Sequence, residues 1–143
     1  MVSVGAGRHW QFGTTADVGI AATAPAVEAL FDEMGRALFS VMTDLSAVRP
    51  TATKKFEVAA DTPEGLLVAF LSELVYLHDT GDWVFSSFDV EVTWEPRPQL
   101  RATAHGEAWD EGRHPRHTEV KAVTLHRAEF DRKALRAQVV LDI

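Results

Sequence analysis

The residues best able to do chemistry lie at the two ends of the chain. Asp142 is penultimate and Ile143 follows it, so a side-chain carboxylate and a main-chain carboxylate stand together if the native terminus is intact. Hard divalent cations such as calcium or magnesium favour oxygen donors of this kind. Asp17 lies in TTADVGI, on a strand face shared with Gly19 and Ala21, whose small side chains leave room for a ligand. The competing reading of Asp17 is a solvated carboxylate beside packed glycine. Two carboxylates about 4 Å apart repel by roughly 4 kcal/mol at an effective dielectric of 20, so clustering them requires a cation, a bound proton or a basic neighbour. Lys121, in HTEVKAVTLH, is the rival neutraliser, and its competing reading is an edge charge that deters aggregation. His114 and His117 flank Pro115 and Arg116 at a spacing that suits a metal clip. With no second ligand pair at matching spacing, surface histidines in a loop are the stronger reading.

Other chemistries are excluded by what the sequence lacks. There is no cysteine, so disulfides, thiolate metal sites and cysteine nucleophiles are ruled out, and a reducing cytoplasmic setting is the default. Phosphate-cradling loops, GxSxG and HExxH are absent, which leaves an enzyme with little support. A formal charge of -7 would repel phosphates, so any RNA must be held by a partner. The most apolar run, Leu66 to Leu77, carries Ser72 and Glu73 and falls short of the roughly 20 residues needed to cross a bilayer.

The elements that position these residues follow from periodicity. Residues 16–23 alternate as a strand, with Ala16, Val18, Ile20 and Ala22 on one face. Pro25 suits the first turn of a helix whose Val27, Leu30, Phe31, Met34, Leu38 and Val41 recur at helical spacing, leaving Glu28, Asp32 and Arg36 facing out. A short strand near residues 54–60 precedes a second helix, capped by Asp61 or Thr62 and apolar nearly all round, which must therefore lie between layers of sheet. Strands are expected at 87–94, 100–107, 118–130 and 135–143, with a hairpin turn at residues 131–133. The length of 143 residues and 46% hydrophobic content suit one domain. The expected organisation is a flexible lead-in over residues 1–11 and an α+β domain over 12–143, mostly antiparallel late in the chain.

Taken together, TTADVGI, GLLVAFLSELVYL, HTEVKAVTLH and the terminal VVLDI resemble the archease family in content, order and spacing, from about Phe12 to Ile143. The helix EALFDEMGRALFSVMTDL is similar to the family's first helix. The resemblance implies a three-layer domain with two helices packed between β-sheets. It also implies a non-enzymatic accessory protein that promotes guanylylation and multiple turnover of the GTP-dependent tRNA-splicing RNA ligase, which joins 2',3'-cyclic phosphate or 3'-phosphate ends to 5'-hydroxyl ends. By the same resemblance a divalent metal, taken as calcium, is held by Asp17, Asp142 and Ile143, and Lys121 serves in activating the ligase. RNA contact is then only indirect, through the ligase, and no membrane is involved. Two departures stand out: Thr14 replaces the family's His, and Leu125 replaces a common aromatic, which implies altered packing. The alternatives are a metal-dependent hydrolase using the same carboxylates and a generic chaperone or scaffold.

Overall fold

The structure, a computed structural model, describes residues 7–13 and 17–143. In chain order they form β1 (Arg8–Gly13), β2 (Val18–Thr23), α1 (Val27–Met42), a 3-10 turn (Leu45–Ala47), β3 (Ala52–Ala59), α2 (Pro63–Gly81), β4 (Trp83–Thr93), β5 (Gln99–Ala108), β6 (Ala122–Asp131) and β7 (Arg136–Asp142). The strands make two antiparallel sheets, β1-β2-β7-β6 and β3-β5-β4.

The architecture grows from α2. Thr62 Oγ1 accepts the Gly65 N–H at 2.9 Å and Pro63 occupies the first turn, so of the two candidate caps it is Thr62 that starts the helix. Leu66, Leu67, Phe70, Leu71, Leu74, Val75 and Leu77 are buried around most of its circumference, a pattern that needs cover on more than one side. Both helices contact strands of both sheets, which gives the three-layer α+β arrangement. A relay of rings runs through it. Phe130 of β6 lies 4.9 Å from Phe31 of α1, Phe31 lies 5.6 Å from Phe70 of α2, and Phe70 lies 5.9 and 5.7 Å from Phe56 of β3 and Phe88 of β4.

Four features depart from the sequence reading. Arg8–Gln11, expected in the lead-in, belong to β1. This strand lacks clean alternation and is held by its pairing with β2 and by His9 Nδ1, which lies 2.8 Å from Glu33 Oε1 on α1. Pro25 precedes the helix, which begins after Ala26. Asp32 does not face out: its carboxylate accepts the Phe88 N–H at 2.8 Å and sits 3.1 Å from Arg36 Nε, tying α1 to β4. Burial pushes this carboxyl up, against the opposing pull of those two partners.

The fourth departure shapes the site. The strand expected over 118–130 begins only at Ala122. The last turn of a helix leaves carbonyls without intrahelical partners, and here Val41 and Met42 of α1 accept the N–H groups of Thr118 (3.1 Å) and His117 (3.0 Å). The segment is thereby drawn onto the end of α1 before it reaches the sheet.

Candidate metal and partner site

Long-range strand pairing brings the chain ends together. In the register between β2 and β7, Val18 faces Leu141, so Asp17 and Asp142 each stand one residue beyond the last pair, at the same end of the sheet. On the other side of β7, Asp142 faces Ala122 of β6, and the Lys121 N–H donates to the Asp142 carbonyl at 2.8 Å. Asp17, Asp142, Ile143 and Lys121 therefore occupy neighbouring strand ends. Asp17 is half-buried, whereas Asp142, Ile143 and Lys121 are exposed. Thr14 and Ala16 lie outside the described residues.

The candidate donors Asp17 and Asp142 are both side-chain carboxylates. Such a set fits a hard divalent cation. Among the described residues no three His, Asp or Glu side chains group into a cage of their own. The room expected beside Gly19 is taken up. A Cβ on Gly19 would stand 2.2 Å from the ring of Phe12, its cross-strand partner on β1, so the glycine is there to seat that ring.

The expected surface character of His114 is overturned. It is 1% exposed, because its ring completes a polar network inside the 109–121 loop. Nδ1 accepts the Asp110 N–H at 2.8 Å, which leaves Nε2 to donate to Glu107 Oε2, also at 2.8 Å. Glu107 further accepts the Arg49 N–H at 2.8 Å and pairs with the Arg113 guanidinium. Trp109 lies over the His114 ring at 5.2 Å, and Arg116 lies over Trp109 at 4.7 Å. His117, by contrast, is exposed as expected. Sequence reasoning missed this cluster, although Glu107, Asp110, Arg113 and His114 around one tryptophan are a set of groups able to satisfy one another on burial.

Burial alone would push the Glu107 carboxyl up, but the hydrogen bonds from Arg49, His114 and Arg113 outweigh it and hold it at about 2, against an ordinary 4.5. A depressed acid stabilises the fold fully above its unfolded value and loses that contribution as pH falls through the folded one, here from about 4.5 towards 2. Glu107→Gln is expected to cost about 2 kcal/mol near neutral pH, less than full linkage because the amide oxygen still accepts part of the same hydrogen bonding. It should also flatten the acid limb of stability. Urea melts of both proteins at neutral and acid pH check this, and parallel pH curves would refute it.

The family model described as the Archease protein family matches residues 10–143. The chain belongs to the archease family. It is 37% identical over 135 residues to protein archease of Methanothermobacter thermautotrophicus, covering 92% of this chain and 96% of that one. It is 38% identical over 132 residues to protein archease of Methanopyrus kandleri, with 90% and 94% covered. Among solved structures, the solution structure of protein 1598 of Methanobacterium thermoautotrophicum superposes with a TM-score of 0.77 at 33% identity, covering 94% of this chain and 98% of that one. The archease match begins inside β1 and ends on Ile143, so β2, β6, β7 and all but the first two residues of β1 fall within it, together with the candidate donors. Among the described residues, no helix is long and apolar enough to cross a membrane.

Proposed function

We propose that this archease-family chain is a non-enzymatic, cytoplasmic accessory protein of a GTP-dependent tRNA-splicing RNA ligase, promoting guanylylation and multiple turnover of that enzyme. The observation that carries this reading is the coincidence of family membership over nearly the whole chain with Asp17 and Asp142 at neighbouring strand ends. Asp17, Asp142 and Ile143 would hold a divalent cation, calcium by family resemblance. When bound, such an ion offsets the mutual repulsion of the carboxylates and stiffens this end of the sheet. Lys121, whose N–H is anchored to the Asp142 carbonyl, would contact the ligase from this end of the sheet. The charge of -7 suits a protein that meets RNA only through its partner.

A ligation assay tests the proposal, using RNA with 2',3'-cyclic phosphate and 5'-hydroxyl ends in excess over ligase. Added chain should carry the ligase beyond one turnover and raise the guanylylated fraction, while joining nothing by itself. Unchanged turnover at stoichiometric chain would reject the accessory role. Chelator-sensitive phosphodiester hydrolysis by the chain alone would favour the hydrolase instead.

A further inference from the structure

The outer face of the four-stranded sheet carries a cationic cluster at the end remote from Asp17 and Asp142. On β2 and β7 the core takes Ile20, Ala22, Ala137 and Val139, so the alternate residues and their partners on β1 face outward. In one outward row Arg8, Thr23 and Arg136 stand side by side, and in the next Trp10 lies beside Ala21. Ala21 has no exposed surface on this side, so Trp10 is seated against the sheet while its ring keeps some contact with water. Both arginines converge on that indole. Arg8 Cζ lies 5.9 Å and Arg136 Cζ 5.5 Å from its ring centroid.

Neither guanidinium has a carboxylate partner among the described residues, whereas Arg36, Arg97, Arg101, Arg113 and Arg116 each have one. Residues 1–6 and 14–16 contain no acid that could supply one. Asp131 faces Arg136 across β6 and β7, yet its carboxylate is held in the turn by the Lys133 and Ala134 N–H groups, both at 2.9 Å. In a chain with 21 acidic against 14 basic residues, two arginines left unpaired around one ring form a local positive spot. Two cations held together without a counter-charge repel, and an anion between them removes that repulsion.

We propose that this face binds a nucleoside monophosphate, its phosphate bracketed by Arg8 and Arg136 over Thr23 and its base on the indole of Trp10. One strand separates the two arginines, which places their backbones about 10 Å apart and leaves room for a phosphate between two guanidinium forks. The indole in the adjacent row supplies a π face on which a base can stack. A free nucleotide and one nucleotide of an RNA strand share this chemistry, and charge favours the free one. A strand needs cations that follow its backbone, but this face offers two, on a chain of charge -7. Six residues of β-strand, about 20 Å, separate Thr23 from Asp17, so the nucleotide and the divalent cation would occupy separate places. Nothing in this site depends on the accessory role proposed above.

Titration calorimetry of the full chain with AMP, adenosine, inorganic phosphate and a short oligoadenylate tests the proposal. AMP should bind more tightly than adenosine or phosphate, and oligoadenylate no more tightly than AMP. Arg8→Gln and Arg136→Gln should each weaken AMP binding by about tenfold, the loss expected for one charge-assisted contact, with melting temperatures close to wild type. Arg101→Gln, on the outer face of the other sheet, should leave it unchanged. Trp10→Leu, which still covers Ala21, should reduce AMP to the affinity of phosphate. Absence of AMP binding, or wild-type affinity in both arginine variants, overturns the site. Phosphate binding as tightly as AMP overturns the role of the indole and with it the nucleotide. Oligoadenylate binding more tightly than AMP through the same arginines makes the ligand an RNA strand and refutes the proposal.

Discussion

Asp142→Ala is expected to leave the fold intact and to cut stimulation of the ligase by at least about 10- to 100-fold, the loss already typical of residues one contact removed from a bound metal. The Asp142 side chain is exposed at the end of β7, where substitutions usually change stability by less than about 0.5 kcal/mol, so the lost stimulation would not reflect unfolding. Its backbone carbonyl, which anchors Lys121, is kept by the substitution. Asp17→Ala should cause a loss of similar size, because removing either carboxylate leaves too few charged oxygens to hold a hard cation. Metal binding provides an independent readout: calcium should raise the melting temperature of the wild-type chain and have no effect on either variant. Full stimulation by both variants, at unchanged melting temperature, would sink the carboxylate site.

The largest effect on stability is expected at Gly106. On β5 it faces Phe85 of β4, where the register shifts between Phe85 and Ser87. An added Cβ would stand 1.9 Å from the Val84 carbonyl oxygen and 2.7 Å from the Phe85 Cα. These are backbone atoms of a buried strand, which cannot swing aside as a side-chain tip can. Gly106→Ala should therefore force β4 and β5 apart, at a cost of about 3 kcal/mol or more. In a domain of this size that lowers the melting temperature by about 10 °C. Calorimetry decides it, and a shift of a degree or two would show that the bulge absorbs a methyl group. Gly19→Ala probes a gentler version of the same constraint, because there the obstacle is the Phe12 ring.

What could be read in the sequence was whatever local spacing encodes. The apolar girdle of α2 placed that helix between sheets because no single neighbour could cover Leu66, Phe70, Leu71, Leu74 and Val75 together. Alternation in RAQVVLDI set Ala137, Val139 and Leu141 in the core and left Asp142 at an exposed end. The turn after β6 was legible in its polar residues, and Asp131 closes it by accepting the Lys133 and Ala134 N–H groups, both at 2.9 Å.

Tertiary structure decided the rest, because it depended on partners remote in the chain. β1 has no clean pattern of its own and exists as a strand by pairing with β2. Residues 118–121 alternate like a strand, yet the open carbonyls of Val41 and Met42 claim the backbone of His117 and Thr118. His114 looked like a surface histidine until the fold set Glu107 beside it. The site itself divides along the same line. Residue type marked Asp17, Asp142 and Lys121 as capable of chemistry, since charge belongs to the side chain alone. Their meeting at one end of a sheet follows from register between β2, β7 and β6, which is fixed by burial across strands and not by any neighbour in sequence.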